Sequence, residues 1–242
     1  MKQRQSARLV KASDVIVDGI RDRILHERLP VGSPLPSEAD LMEDYGLGRV
    51  TVRESLRLLE RDGIVSIRRG PGGGVFVGTP DIQRLSEVFT VLMAIRDVTL
   101  RDLLEFRKVI EPPAARLAAL NATDEQRAAL LAATEEPGNP VRNADVHLLI
   151  AEATNNAILA MAFYAVSDNA AHYPPESLNT RAVFAATHEA HQAIAKAIAA
   201  RKPVVAQRAM MAHLDELEAA ALLSGSLDEP LIRGKAPAPV RR

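Results

Sequence analysis

The residues with the clearest potential for chemistry are histidines, and five of the six lie in the second half of the chain: His147, His172, His188, His191 and His213. Imidazole nitrogens are common ligands of Zn²⁺, Ni²⁺ and other first-row ions. A single histidine on an apolar helix is more often a core residue than a ligand, so the spacing has to discriminate. We assign no role to His172.

The spacing of three of these histidines is compatible with one shared site. His191 and His213 are 22 residues apart, and their midpoint falls at Lys202, where the helical pattern breaks. Two antiparallel helices that turn there bring both rings to the same height. On another predicted helix, Asn143 and His147 stand at i and i+4 and point the same way. Spacing alone leaves two interpretations open: a metal site of three imidazoles and one amide oxygen, or structural histidines.

The elements that would position these residues are helices. From about Asp81 onward, the apolar periodicity predicts helices near 81–96, 99–120, 123–135, 142–154, 156–172, 179–201 and 203–223. Thr99, Thr123 and Asn179 are predicted N-caps, and Pro112-Pro113 predicts a kink or break. We predict an antiparallel all-α bundle over residues 81–223. The tail 224–242 is rich in Pro, Gly and charge, which predicts disorder.

A second group of candidate residues lies at the start of a helix in the first third of the chain. Arg49 and Arg53 are one turn apart, with Thr51 between them, directly after Gly46-Leu47-Gly48. The helix dipole disfavours cations at this end. The arrangement therefore indicates an external anion, although any single arginine could equally be a solvated surface charge.

The elements around these arginines have the order of a winged helix-turn-helix. Helical patterns cover 13–28, 37–45 and 49–61, and a period-two pattern over Val65–Ile67 is followed by a PGGG turn and a return strand. In this architecture the second helix of the motif enters the major groove, and arginine suits guanine or phosphate. Arg68, Arg69 and Gly70 would lie at the wing tip, near the minor groove. We predict a DNA-binding domain over 13–78, preceded by a basic arm, 1–12.

Bulk composition excludes several other classes of protein. The 242 residues carry a formal net charge of −1 and no cysteine, which excludes disulfides and thiolate metal sites. The N-terminus lacks an apolar signal region, and no apolar run reaches the roughly 18 residues of a membrane span. We therefore predict a cytoplasmic protein with no membrane partner.

The stretch GSPLPSEADLMEDYGLGRVTVRESLRLLERDGIVSIRRGPGGGVFV resembles the DNA-binding domain of GntR-type bacterial transcription regulators. That resemblance implies binding to a palindromic, double-stranded operator as a homodimer. It also implies a set of DNA contacts, namely Arg49, Thr51, Arg53, Arg69 and Gly70. The chain departs from the pattern at Ala39, where relatives often have a basic residue that contacts DNA.

The second half resembles the FCD ligand-binding domain of the FadR subfamily, through LLEFRKVIEPPAARLAA, NADVHLLIAEATNN and HEAHQAIAKAIAARKPVVAQRAMMAHL. The resemblance implies an antiparallel helical bundle that holds a divalent metal, Zn²⁺ or Ni²⁺. Its implied ligands are Asn143, His147, His191 and His213. Asn143 stands where the family usually has Asp, so the site would be more positive and bind metal less tightly. The segment 135–142 is also shorter than in most relatives.

The resemblance further implies that Arg107 binds an effector carboxylate. Because His188 lies one turn before His191, we predict that it lines the same pocket. Arg107 also begins an R-x-x-x-E pattern with Glu111, so a salt bridge on the helix surface is an equal alternative. We predict a ligand-responsive transcription regulator, not an enzyme, whose operator affinity depends on a small carboxylate. The alternatives are a metal-free FadR-type regulator of a larger acyl ligand and, less favoured, a metalloenzyme. Against the metalloenzyme hypothesis, the sequence offers no obvious general base such as the Glu of H-E-x-x-H.

Overall fold

The structure is a computed structural model that describes residues 11–135, 140–172 and 181–232, without the side chains of 140–145, 167–172 and 181–182. The basic arm up to residue 10, the predicted cap Asn179 and the last ten residues lie outside this part of the chain. Internal contacts divide the chain into two units, Met1–Asp81 and Ile82–Arg242.

The first unit contains three helices and one hairpin: α1 (Ala12–His26), α2 (Glu38–Tyr45), α3 (Arg49–Arg61), β1 (Val65–Arg68) and β2 (Gly74–Val77). Ser37 and Asp40 form a capping box at the start of α2, because each backbone N–H donates to the other residue's side chain. Gly46 ends α2 in the left-handed region, at φ 63°. The tight turn to α3 depends on this conformation, which glycine adopts without steric cost.

The hairpin is antiparallel and pairs Val65 with Val77 and Arg68 with Gly74. The segment before α2 extends this small sheet, since the N–H of Leu35 donates to the carbonyl of Val75 at 2.8 Å. Apolar side chains from the three helices and both strands form one core, which includes Ile16, Leu56 and Val75. Helix α3 therefore buries one face and leaves the other to solvent.

The described helices of the second unit are α4 (Ile82–Ile95), α5 (Leu100–Asn121), α6 (Asp124–Ala133), α7 (Pro140–Ala153), α8 (Ala157–His172), α9 (Arg181–Ala199) and α10 (Pro203–Leu223). Thr99 and Thr123 form capping boxes with Asp102 and Gln126, as predicted. The predicted fold class, a winged helix-turn-helix followed by an α-helical bundle, is confirmed. No described helix is long and apolar enough to cross a membrane.

Small side chains let the central helices of the bundle approach closely. The main core contains Ala115, Ala118, Ala195 and Ala206, together with larger residues such as Ile194. Helix α5 runs without a break through Pro112 and Pro113. The predicted break is therefore absent, because burial of the surrounding helix face stabilises α5 despite two missing N–H donors.

The prediction of a disordered tail is wrong for residues 224–232, which pack against the start of α5. The N–H of Leu231 donates to the carbonyl of Val98, and the N–H of Arg101 donates to the carbonyl of Leu227, both at 2.8 Å. Leu227 and Leu231 are buried in a second apolar cluster. Composition suggested disorder, but two leucines four residues apart gain enough buried apolar surface to fix this segment. Residues 233–242 lie outside the described chain.

Candidate functional site

Three histidines from three helices meet in the interior of the second unit. His147 comes from α7, His191 from α9 and His213 from α10. The Nε2 atom of His191 lies 2.9 Å from that of His147 and 3.3 Å from that of His213. We call these three residues the histidine triad. It exists because α9 ends at Ala199 and α10 begins at Pro203, which puts the two histidines level.

Burial governs the protonation of the triad. Desolvation lowers the pKa of His147, although the negative charge of Glu111 opposes this shift. Desolvation and the neighbouring rings and Arg107 hold the pKa of His191 and His213 well below the usual range. All three imidazoles are therefore neutral at neutral pH, which is the form that binds metals.

A buried ion pair on α5 supports the triad from one side. Glu111, 3% exposed, forms a salt bridge with Arg107, which is 14% exposed. The Oε2 atom of Glu111 also lies 2.6 Å from Nδ1 of His147. Burial alone would raise the pKa of Glu111, but the charge of Arg107 and the hydrogen bonds from His147 and Arg107 outweigh it and lower the pKa to about 2. Glu111 is thus a carboxylate that accepts a hydrogen bond from His147.

These contacts fit a metal centre. Because Nδ1 of His147 donates to Glu111, its Nε2 carries the lone pair and faces His191. Nδ1 of His191 is buried without a hydrogen-bond partner in the described residues. Neutral nitrogens in such close contact repel one another unless a proton or cation lies between them. The three side chains form a group that could hold a metal ion, which suits the three-histidine sets that bind Zn²⁺.

Arg107 is adjacent to this centre. Its Nη2 atom lies 3.0 Å from Nε2 and 3.2 Å from Nδ1 of His147. The salt bridge with Glu111, one of the two alternatives for Arg107, is present, but it is buried and not on the helix surface. Because the pair also contacts the triad, it does not exclude a role of Arg107 in ligand binding.

The other candidate residues of this region are not part of the triad. His188 is half-buried one turn before His191, and its Nε2 lies 3.2 Å from Nε2 of Gln192. Asn143 lies on α7, one turn before His147, but its side chain is outside the described atoms. The same holds for the side chain of His172.

A separate apolar cavity of about 530 Å³ lies between α4, α5 and α8. Its walls include Phe89, Met93, Leu103, Phe106 and Met161, and Asp102 is the charged residue that lines it. Sequence patterns did not indicate this cavity, because it depends on how the three helices pack.

In the first unit, the predicted DNA contacts lie on the exposed face of α3 and on the hairpin. Arg49 and Arg53 are exposed and Thr51 is half-buried in the first turn. The Nε atom of Arg53 donates to both carboxylate oxygens of Glu38, at 2.9 and 3.2 Å. This contact links the start of α2 to α3.

The wing presents Arg68, Arg69 and Gly70 to solvent. Gly70 has φ 92° and begins the hairpin turn, since its carbonyl accepts from the N–H of Gly73 at 2.8 Å. The guanidinium of Arg68 lies 4.4 Å from the ring centroid of Phe76. This cation–π contact holds Arg68 against the sheet.

Sequence reasoning missed two residues on the same face of α3. Arg57 is exposed one turn beyond Arg53, and its i+4 spacing was visible in the sequence. Val50 is 82% exposed in the first turn, where an apolar side chain could contact a thymine methyl group. Helical periodicity could have identified Val50 as exposed, because it lies on the face opposite Val52, which is fully buried.

Comparison with known proteins identifies both units. The family model "Bacterial regulatory proteins, gntR family" matches residues 12–77. The model "FCD domain" matches residues 102–216. The chain therefore belongs to the GntR family of bacterial regulatory proteins and carries an FCD domain. The GntR helix-turn-helix implies that the first unit binds DNA.

Individual relatives extend this likeness over most of the chain. A protein of Escherichia coli (strain K12) described as "Putative L-lactate dehydrogenase operon regulatory protein" is 34% identical over 218 residues, covering 84% of each chain. The regulator LutR of Bacillus subtilis (strain 168) is 26% identical over 219 residues, 85% of this chain and 98% of that one. The solved structure "Streptococcus agalactiae GntR" has a TM-score of 0.57 at 25% identity and covers 86% of this chain and 99% of that one. All three are described as regulators or GntR proteins.

Proposed function

We propose that this GntR-family regulator binds Zn²⁺ or Ni²⁺ in its FCD domain and that a small organic acid bound there changes its affinity for operator DNA. The observation that carries the proposal is the convergence of three neutral, buried imidazoles on one point. FCD domains are often metal-binding, which supports the same interpretation of the triad.

The residues that would hold the metal are His147, His191 and His213, with Asn143 one turn before His147 as a fourth candidate. When bound, the metal supplies a Lewis acid to which a carboxylate and a neighbouring hydroxyl can coordinate. Neither contact of Arg107 with Glu111 uses its Nη1 atom. We propose that this nitrogen binds the effector carboxylate and that His188 lines the same pocket.

The proposed DNA contacts are the exposed residues of α3 and the wing: Arg49, Thr51, Arg53, Arg68, Arg69 and Gly70. Effector binding would shift the equilibrium between arrangements of the two units that differ in operator affinity. In this proposal, the metal and the effector belong to the second unit and the operator to the first.

We further propose that two copies of the chain bind a palindromic operator, since two-fold operators require two-fold proteins. Helix α4 exposes an unusual number of large apolar side chains: Leu85, Val88, Phe89, Val91, Leu92 and Ile95. Exposed apolar faces of this kind mark interaction sites. A second copy of the chain fits this face, because GntR regulators are typically dimeric and α4 directly follows the DNA-binding unit.

The dimer surface is tested by light scattering. Leu92→Glu should give monomers, whereas Leu120→Glu on α5 should not. A dimeric Leu92→Glu variant would contradict this surface.

The metal is tested by elemental analysis of untagged, full-length protein purified without chelator. We expect about one Zn or Ni per chain in the wild type. The double variant His191→Ala, His213→Ala should lose it, and His26→Ala, an exposed histidine in α1, should retain it. Metal-free wild-type protein that also fails to take up added Zn²⁺ would contradict the proposal.

The effector is tested on DNA fragments from upstream of the chain's own gene. Because the E. coli relative is named for an L-lactate dehydrogenase operon, L-lactate is the first probe and propionate, which lacks the hydroxyl, is its control. L-lactate should change operator affinity by about 5- to 150-fold, the usual range of allosteric coupling. Equal responses to both acids would argue against chelation by the metal.

A second candidate function is supported by the apolar cavity. Its volume of about 530 Å³ and its apolar walls suit an acyl chain in a metal-free regulator. Dodecanoate would then raise the thermal midpoint of the chelator-treated protein. Ala162 also lines the cavity, so Ala162→Phe should fill it and abolish the shift. Stabilisation by dodecanoate with no response to L-lactate would favour this alternative.

A further inference from the structure

We propose that Glu111 is a positioning residue that orients His147 toward the metal and supplies the negative charge that the ligands lack. This inference rests on the metal site proposed above and concerns a residue outside the ligand set. It is carried by the geometry of one buried hydrogen bond between α5 and α7.

The first argument is the tautomer of His147. Either nitrogen of a neutral imidazole can carry the proton, and only the other can bind a metal. Oε2 of Glu111 lies 2.6 Å from Nδ1 of His147, so the proton resides on Nδ1 and the lone pair on Nε2. Nε2 is the atom that faces His191 at 2.9 Å. Metal-bound histidines typically donate their other N–H to a carboxylate in this way.

The second argument is that Glu111 is itself held in position. Arg107 donates through Nε to Oε1 of Glu111, and its Nη2 lies 3.3 Å from Oε2. Both residues lie on α5, one helical turn apart, so that the pair is built into a rigid element. The arginine therefore orients the carboxylate, and the carboxylate orients the imidazole ring.

The third argument is the charge of the site. The group of side chains that could hold a metal, within the described residues, comprises three histidines and no carboxylate. Among the described residues, three neutral rings therefore leave a divalent cation without an anionic ligand. Glu111 is 3% exposed and one hydrogen bond away from the site, so its charge acts through a poorly solvated medium and offsets the positive charge that Arg107 places 3.0 Å from Nε2 of His147.

The test compares Zn²⁺ affinity in the full-length wild type, Glu111→Gln and Glu105→Gln, by competition with a chromophoric chelator. Glu105 is an exposed carboxylate on the same helix and serves as the matched control. Mutation of the outer partner of a metal-bound histidine usually weakens metal binding about 10- to 100-fold. Gln keeps an acceptor oxygen but removes the negative charge and adds an N–H donor that can favour the other tautomer of His147. We expect that loss for Glu111→Gln, with one site retained, and none for Glu105→Gln. Wild-type affinity in Glu111→Gln would overturn the inference while leaving the metal proposal intact.

A second measurement does not depend on the stability of the variant. Nitrogen-15 spectra of the metal-free wild type should show His147 with its proton on Nδ1. The opposite tautomer would overturn the inference even if Zn²⁺ binds. If the wild type binds no Zn²⁺, the metal proposal and the role of Glu111 toward it both fail, whereas the tautomer still reports whether Glu111 orients the ring.

Discussion

The two units contain similar Arg–Glu pairs in opposite environments. Arg53 and Glu38 in the first unit have side chains that are 55% and 37% exposed, whereas Arg107 and Glu111 in the second are 14% and 3% exposed. Water screens the first pair, so each partner remains available to a ligand such as DNA. The second pair is isolated from water, and each partner depends on the other and on His147.

This difference indicates how one chain would combine the proposed DNA-binding surface with the proposed internal ligand site. Exposed charges add little to stability, so the exposed residues of α3 can differ in type without destabilising the fold. Buried charges are costly unless they are paired, so the residues around the triad are interdependent. Substitutions of the exposed charged residues in the first unit should therefore change function alone. Substitutions of the buried charged residues in the second unit should change function together with stability.

The largest expected effect comes from breaking the buried pair. Glu111→Ala leaves Arg107 buried without its carboxylate, which should destabilise the second unit by about 3–5 kcal/mol. The same substitution at Glu38 should cost at most about 1 kcal/mol. Urea unfolding of both full-length variants, with chelator present and followed by helical circular dichroism, measures the two. Similar losses would contradict the contrast between the units.

A slightly smaller effect is expected where residues 224–232 pack on the bundle. Leu227→Ala removes a side chain that is 3% exposed and should cost about 2–5 kcal/mol. Leu25→Ala in α1, where the side chain is 72% exposed, should be nearly neutral. Both are measured by thermal unfolding, and a neutral Leu227→Ala would mean that these residues do not stabilise the bundle.

On the DNA-binding side, Arg53→Ala should leave stability unchanged and weaken operator binding by about 1–3 kcal/mol, or roughly 5- to 150-fold. Gel shifts at two salt concentrations measure the loss and show whether Arg53 contacts base or phosphate. Arg61→Ala, at the far end of α3, provides a control on the same helix. A large loss of stability in Arg53→Ala would place this arginine with the buried pair instead.

The last expected effect is a pH dependence of stability that arises in the buried triad. The pKa of each triad histidine is lower in the folded chain than the unfolded value near 6.5. Below that value the unfolded state binds more protons, so the metal-free protein should lose stability as the pH falls from 7 toward 5. Each histidine contributes up to about 1.4 kcal/mol per pH unit.

Urea unfolding at several pH values checks this sign. His213→Gln removes one titrating ring from the triad and should therefore reduce the slope of stability against pH. A slope that is unchanged in His213→Gln, or that rises as the pH falls, would show that the triad does not titrate as proposed.

Much of the fold was predictable because its determinants are local. Ser37, Thr99 and Thr123 each cap a helix through a residue three positions away, and apolar periodicity indicated which helix faces are buried. Of the kink or break predicted at Pro112-Pro113, the break is absent, because the packing of α5 against its neighbours is not a local property. The content of Pro, Gly and charged residues likewise overstated the disorder after residue 223.

The candidate site shows the same division between local and tertiary causes. A spacing of 22 residues around a helix break was enough to predict that His191 and His213 meet. Two residues at equal distances from a turn between antiparallel helices lie level. That α7 adds His147 to the same point could not be derived from spacing.

The sequence by itself thus determined the helices, their caps, the exposed arginines of α3 and the family to which the chain belongs, because these depend on patterns within a few turns. Tertiary structure alone decided that Glu111 reaches His147, that the Arg107 pair is buried and that Leu227 finds a partner cluster. Those contacts join residues far apart in the chain, and their strength comes from the exclusion of water, which only the packed helices provide.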